Sequence, residues 1–293
     1  MLSALPNHKR YRLCFKTVFL FSFLLFLCVS PSTAQETVLH VDFDSTRLGQ
    51  YTNTLIHRDW DNVRWTGLHD RGSIVKAPEP NHGRALKIVY PKGSVGPGEG
   101  GGQFLVSLPH AQDYWLTYDV KFSENFDFKR GGKLPGLTSG GSKYTGGNIP
   151  TKGDGWSARY MWRSEGGVMI YLYYVDMPGK WGQGLILNKV KFIPGQWHRL
   201  TQHIQVNTPG KYNGMIEVWF DGQKTLTQNN IRFRVAEKGL IDSLYFSTFH
   251  GGNSDSWAPR VDCAAFFDNF TIEKTKPKYL NKKTSKAKTD THK

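Results

Sequence analysis

Two neighbouring stretches, residues 155–163 and 168–175, hold the side chains whose types and spacing could do chemistry. In an extended strand successive side chains point to opposite faces. Trp156, Ala158, Tyr160 and Trp162 therefore share one face of the first stretch, and Ser157, Arg159, Met161 and Arg163 the other. In the second stretch Val168, Ile170, Leu172 and Tyr174 form an apolar face, with Met169, Tyr171, Tyr173 and Val175 opposite. The short glycine-containing connection Ser164-Glu165-Gly166-Gly167 reads as a hairpin turn. Pairing the stretches puts apolar on apolar and gathers a hydroxyl, a guanidinium and two phenols on one surface. Either register sets Arg159 opposite Tyr171 or Tyr173, with Cβ atoms roughly 4.5–5.5 Å apart. Arg159, with Lys133 from a glycine-rich stretch upstream, can pair with a carboxylate, and Tyr171 and Tyr173 can move protons.

A cluster of this kind needs a sheet to carry it. Alternating short runs recur at residues 37–44, 85–90, 104–108, 114–122, 197–206, 215–220, 241–250 and 263–272, punctuated by Gly, Pro, Asn and Asp. No amphipathic helix of useful length interrupts them. The pattern predicts an all-β fold of two packed antiparallel sheets, a sandwich or jelly roll. Residues 91–103 and 123–154 lack the alternation, are rich in glycine, and read as long loops over a sheet, where function concentrates. The glycines do not have the spacing or the strand-to-helix context of a phosphate-binding loop.

The ends of the chain carry most of its charge. Lys9, Arg10, Arg12 and Lys16 precede an apolar run from 18 to 29 and then Ser32-Thr33-Ala34, the three parts of a secretory signal peptide at 1–34. The run is shorter than the roughly 20 residues of a membrane span, and Leu27 stands where a lipoprotein signal ending at Cys28 requires a small residue. Residues 35–273 are expected to form one domain, followed by a basic disordered tail at 274–293. The formal +14 is thus mostly leader and tail, and the body carries only about +3. Cys14 and Cys28 leave with the leader, so Cys263 has no partner for a disulfide and stability rests on an aromatic core. A secreted monomer is expected, extracellular or periplasmic, with neither nucleic acid nor membrane as partner.

Rival chemistries find little support. Glu165 lies in the hairpin turn and Glu217 has no second acid at a defensible spacing, so the carboxylate pair of a glycoside hydrolase is missing. Clusters of His and Asp at catalytic metal spacing are missing too. Asp42, Asp44 and Asp268 lie on terminal strands that often neighbour each other in sandwiches, which admits a structural calcium. No other cofactor is expected.

Four separated motifs occur in order: Gly131-Gly132-Lys133-Leu134-Pro135-Gly136-Leu137, Trp156-Ser157-Ala158-Arg159, Tyr171-Leu172-Tyr173, and Phe246-Ser247-Thr248-Phe249-His250-Gly251-Gly252. Together they resemble polysaccharide lyase family 14, which contains alginate and glucuronan lyases. The resemblance runs from about Val38 to Ile272. It implies a β-jelly roll, an acidic polysaccharide substrate, and an active site at Lys133, Ser157, Arg159, Tyr171 and Tyr173. Gln103 and His250 are carried as substrate-binding candidates, His250 against a turn-stabilising role.

The reaction implied is β-elimination on a 4-linked uronate. A proton beside the carboxylate is removed, the 4-linked sugar leaves, and cations stabilise the enolate-like intermediate. On this expectation Arg159 and Lys133 hold the charge, and tyrosines act as base and acid, with a phenol pKa lowered from about 10 by the adjacent guanidinium. In mannuronate and glucuronate the departing proton and oxygen lie on one side of the ring, so one of Tyr171 and Tyr173 could serve both roles. A non-catalytic carbohydrate-binding module on the same sandwich is the alternative, and it would need no proton-transfer pair.

Overall fold

The computed structural model describes Met1, residues 36–77 and residues 79–281. Apart from Met1, the expected leader lies outside the described residues, as does the tail beyond 281.

In chain order the strands are β1 (Thr37–Val41), β2 (Gly49–Gln50), β3 (Val63–Gly67), β4 (Gly72–Lys76), β5 (Arg84–Tyr90), β6 (Gly102–Ala111), β7 (Asp113–Phe122) and β8 (Gly131–Ser139). They continue with β9 (Trp156–Arg163), β10 (Gly167–Tyr173), β11 (Gln183–Lys191), β12 (Trp197–Gln205), β13 (Gly214–Phe220), β14 (Gln223–Ile231), β15 (Ile241–His250) and β16 (Cys263–Glu273). Two short helices, α1 (Asn53–Asp59) and α2 (Gly96–Glu99), sit in connections. One sheet runs β14-β13-β12-β7-β16-β5-β4-β2 with β1 paired to β16, and the other runs β11-β10-β9-β8-β15-β6-β3. The fold is the expected jelly roll, two antiparallel sheets face to face.

Aromatic side chains join the sheets. Trp162 and Tyr160 of β9 meet Phe122 and Tyr118 of β7 at centroid distances of 5.6 and 6.0 Å, and Phe246 of β15 meets Phe267 of β16 at 5.1 Å. All six are fully buried, and burying each such ring stabilises by about 1.5–3 kcal/mol. The inward face of β9 is the apolar face read from the sequence, so its other face must look away from the core. The β9/β10 pairing sets Tyr171 opposite Arg159 and Tyr173 opposite Ser157.

The long loop expected at 123–154 is not all loop. It contains β8, a middle strand of the seven-stranded sheet. Its glycines and Pro135 conceal the alternation, and packing explains them. A Cβ on Gly136 would stand 2.6 Å from Cα of Arg159, and Gly132 lies against the Trp162 ring. The expected tail also begins late. Tyr279 of the 3-10 turn Lys278–Asn281 hydrogen-bonds Thr201, and the Arg199 guanidinium lies 5.4 Å from its ring centroid.

Candidate active site

Strand register lays the outer face of the seven-stranded sheet out in rows. One row runs Gly184, Tyr171, Arg159, Gly136, Tyr245, Leu105 and Trp65 from β11 across to β3. The next runs Ile186, Met169, Met161, Lys133 and Phe249. Lys133 and Tyr171 thus rise from the same face, two strands apart and one row offset. The Lys133 ammonium stands 4.3 Å from the centroid of the Tyr171 ring.

Arg159 is only 2% exposed. From β9 it reaches across β8 to β15. There Nη1 donates to Ser247 Oγ at 3.0 Å, and Cζ lies 5.3 Å from the Tyr245 ring centroid. Its Nε is buried without a partner. Tyr245 in turn donates from Oη to Gln103 Oε1 at 2.5 Å, which brings Gln103 into the cluster.

The cations here have soft partners instead of acids. Lys133 Nζ donates to Met161 Sδ at 3.2 Å and Arg163 Nη1 to Met169 Sδ at 3.8 Å. Thioether sulfur is a weak acceptor. Among the described residues none of the ion pairs involves Lys133, Arg159 or Arg163. The patch therefore presents uncompensated positive charge to whatever enters it, which suits a polyanion.

Burial and like charge set the titration behaviour. Burial, with Arg159 and Arg163 nearby, pulls the Lys133 pKa well below the ordinary 10.5. Burial first, then the hydrogen bond and charge of Tyr173, push Tyr171 above 10, and the opposing pull of Arg159 is smaller. The direction at Tyr171 is opposite to the lowering expected from the adjacent guanidinium. The phenol facing the guanidinium is held protonated, because desolvation outweighs the adjacent positive charge, and the amine is the group made easier to deprotonate.

Besides Arg159, three of the seven candidates are buried. Ser157 is fully buried and donates to the Tyr144 carbonyl oxygen at 2.7 Å. Tyr173 is fully buried as well, its hydroxyl accepting from the Gly147 N–H at 3.0 Å. Both lie under the connection between β8 and β9, where Tyr144 packs with Tyr173 and Met177 and hydrogen-bonds Asp154. His250 faces the core. It is 1% exposed, lies 5.5, 5.5 and 5.2 Å from the Tyr90, Phe126 and Trp162 ring centroids, and contacts the Asp127 carbonyl oxygen through Nε2 at 2.8 Å. Lys133, Tyr171 and Gln103 are half-buried and reachable above Arg159. Tyr245 and Ser247, which sequence reasoning did not select, complete the group. Their signal was the alternation of β15, which sets them opposite Phe246 and His250.

A cavity of about 370 Å³ beside Asp119, Trp197 and Arg199 belongs to the other sheet. Its charges are already satisfied, Arg199 by a two-point pair with Asp119 and His198 by Asp221. Among the described residues no group of three or more His, Cys, Asp or Glu is placed to hold a metal ion. Of the aspartates read as a calcium candidate, Asp42 contacts His40, Asp44 accepts from the Arg84 N–H, and Asp268 pairs with His82.

Comparison with known proteins identifies the family. The family described as Polysaccharide lyase 14 matches residues 78–270. The chain is similar to the alginate lyase Aly36B, with 26% identity, a TM-score of 0.71 and coverage of 81% of this chain and 97% of that one. A variant of the same lyase, 25% identical, was solved in complex with an alginate tetrasaccharide. It is also similar to the alginate lyase from Aplysia kurodai, at 29% identity and TM-score 0.70, covering 82% and 99%. Exolysin of Paramecium bursaria Chlorella virus 1 is 27% identical over 197 residues, 56% of this chain, and the chain spans only 30% of that protein's length.

Proposed function

The chain belongs to polysaccharide lyase family 14, and from that premise we propose that it cleaves a 4-linked polyuronate by β-elimination, with Lys133 as base and Tyr171 as acid. One observation carries the assignment: a lysine with no acidic partner stands over the ring of Tyr171, on a face where Arg159 and Arg163 likewise have no acidic partner. Alginate is favoured over glucuronan, because the relatives named above are alginate lyases.

The Arg159 guanidinium, buried beneath Lys133 and Tyr171 without an acidic partner, stabilises the charge that builds on the substrate carboxylate as the neighbouring carbon is deprotonated. The C5 proton passes to Lys133 Nζ, and the C–H electrons form the C4–C5 double bond. The C4–O bond breaks, and the departing oxygen takes the Tyr171 proton. The adjacent Lys133 ammonium then returns its proton to the Tyr171 phenolate, which resets the pair. Base and acid rise from one face, so they serve best a sugar whose proton and leaving oxygen lie on one side. That favours polymannuronate over polyguluronate.

The test is an assay of the purified protein on polymannuronate, polyguluronate and glucuronan, reading the ultraviolet absorbance of newly formed unsaturated ends. Cleavage of polymannuronate ahead of the other two is expected. New reducing ends without that absorbance would mark a hydrolase instead.

A further inference from the structure

We propose that Trp181 is the platform on which a neighbouring sugar of the polymer stacks, beside the sugar that reacts; this rests on the polyuronate reading above. Trp181 lies in the connection between β10 and β11 and is 60% exposed. Large apolar side chains left in water are common singly, so exposure alone assigns nothing. Position does. A Cβ on Gly147 would stand 3.0 Å from Cζ3 of Trp181, so the edge of the indole rests on that backbone, and the Gly147 N–H holds the Tyr173 hydroxyl. On the other side the chain passes directly to Gly182, where a Cβ would stand 3.0 Å from Cζ of Tyr171 and 2.6 Å from Cε2 of Tyr173. The indole is thus tied from both directions to the tyrosine pair, with most of its surface open.

The substrate supplies what this surface lacks. A pyranose ring has a face of C–H bonds that covers apolar area, and an indole offers a broad flat partner with little conformational entropy to lose. A uronate also carries a carboxylate. Lys180 Nζ lies 5.4 Å from the Trp181 ring centroid, so a sugar on the indole would meet a cation at its rim. At the same margin Ile186 of β11, 62% exposed, extends the apolar edge beyond Met169. Trp181 and Lys180 together thus select a polymer of uronates long enough to reach past the reacting unit.

The test compares Trp181→Ala and Trp181→Phe with the wild type on polymannuronate. Trp181→Ala is expected to raise KM roughly five- to twentyfold with kcat within about twofold, the pattern of binding lost equally from ground and transition states, and Trp181→Phe to keep most of the affinity. Titrating alginate tetrasaccharide into the Tyr171→Phe background reads binding without turnover. A change in tryptophan emission that vanishes when Trp181→Phe is added supports the platform, even if the wild type yields no unsaturated ends, a result that would overturn the lyase reading alone. An unchanged KM in Trp181→Ala, or an emission change that survives Trp181→Phe, overturns the inference.

Discussion

The Lys133 ammonium nitrogen lies 4.3 Å from the centroid of the Tyr171 ring, with Met161 sulfur as its hydrogen-bond acceptor. No acid balances it there, and two arginines share its surroundings. A lysine so placed loses its proton more readily than one in water, and a phenol pushed above 10 by burial keeps its own. These opposite tendencies suit the proposed roles, Lys133 as base and Tyr171 as acid.

That division fixes the shape of the pH profile. Activity should rise on the acid side as Lys133 gives up its proton, and Tyr171, its pKa raised by burial, should still hold its proton where an ordinary phenol begins to lose it. Replacing Arg163 by Gln removes one of the like charges that lower Lys133. The acid limb of kcat against pH should then move to higher pH, which initial rates across a buffer series will show.

Gly136 makes a different demand. Its side chain would meet the Arg159 backbone, Cβ to Cα 2.6 Å, in the strand over which the guanidinium crosses. Gly136→Ala should lower thermal stability by about 1–3 kcal/mol. It should also cut kcat/KM more than an exposed glycine such as Gly98 would when replaced by Ala, because the Arg159 contact with Ser247 is displaced. Thermal unfolding and kinetics on the same samples check both.

Tyr173→Phe separates packing from chemistry. The ring would stay in its cluster with Tyr144 and Met177, while the acceptor for the Gly147 N–H and the hydrogen bond with Tyr171 are lost. The expected cost is about 1 kcal/mol of stability, with kcat falling far less than in Tyr171→Phe, where loss of a proton donor costs roughly 10²–10⁴-fold. Equal losses in the two variants would return Tyr173 to the catalytic step.

On the opposite sheet Asp268 is raised to about 8, by burial first, then by Asp119, Asp44 and Asp42. A carboxyl with a folded pKa above its unfolded one binds more protons when folded. Its contribution is present in full below about 4 and is lost as pH rises through about 8. Asp268→Asn should therefore remove part of the decline in melting temperature between pH 5 and 9. A decline of the same slope in the variant would contradict this.

Part of the site was legible in the sequence because one hairpin carries Arg159 and Tyr171. The alternation of β9 and β10 was unbroken, so Arg159 opposite Tyr171 or Tyr173 could be read, and the observed register selects Tyr171. Strand β8 was hidden, since Gly132 and Gly136 are small to admit Trp162 and the neighbouring backbone, and smallness reads as loop. His250 shows a signal left unused. It shares parity with Phe246, and that parity already assigned it to the core. What no periodicity could show was the cover over Ser157 and Tyr173, which depends on where an irregular connection lands.

The division of labour between Lys133 and Tyr171 is tested most directly by isotope exchange. Polymannuronate incubated with Tyr171→Phe in heavy water should take up deuterium at C5 without being cleaved, because the base still removes the proton while the leaving group finds no acid. Lys133→Ala should show neither exchange nor cleavage. Deuterium entering C5 with Lys133→Ala, but not with Tyr171→Phe, would contradict the assignment and make the phenol the base.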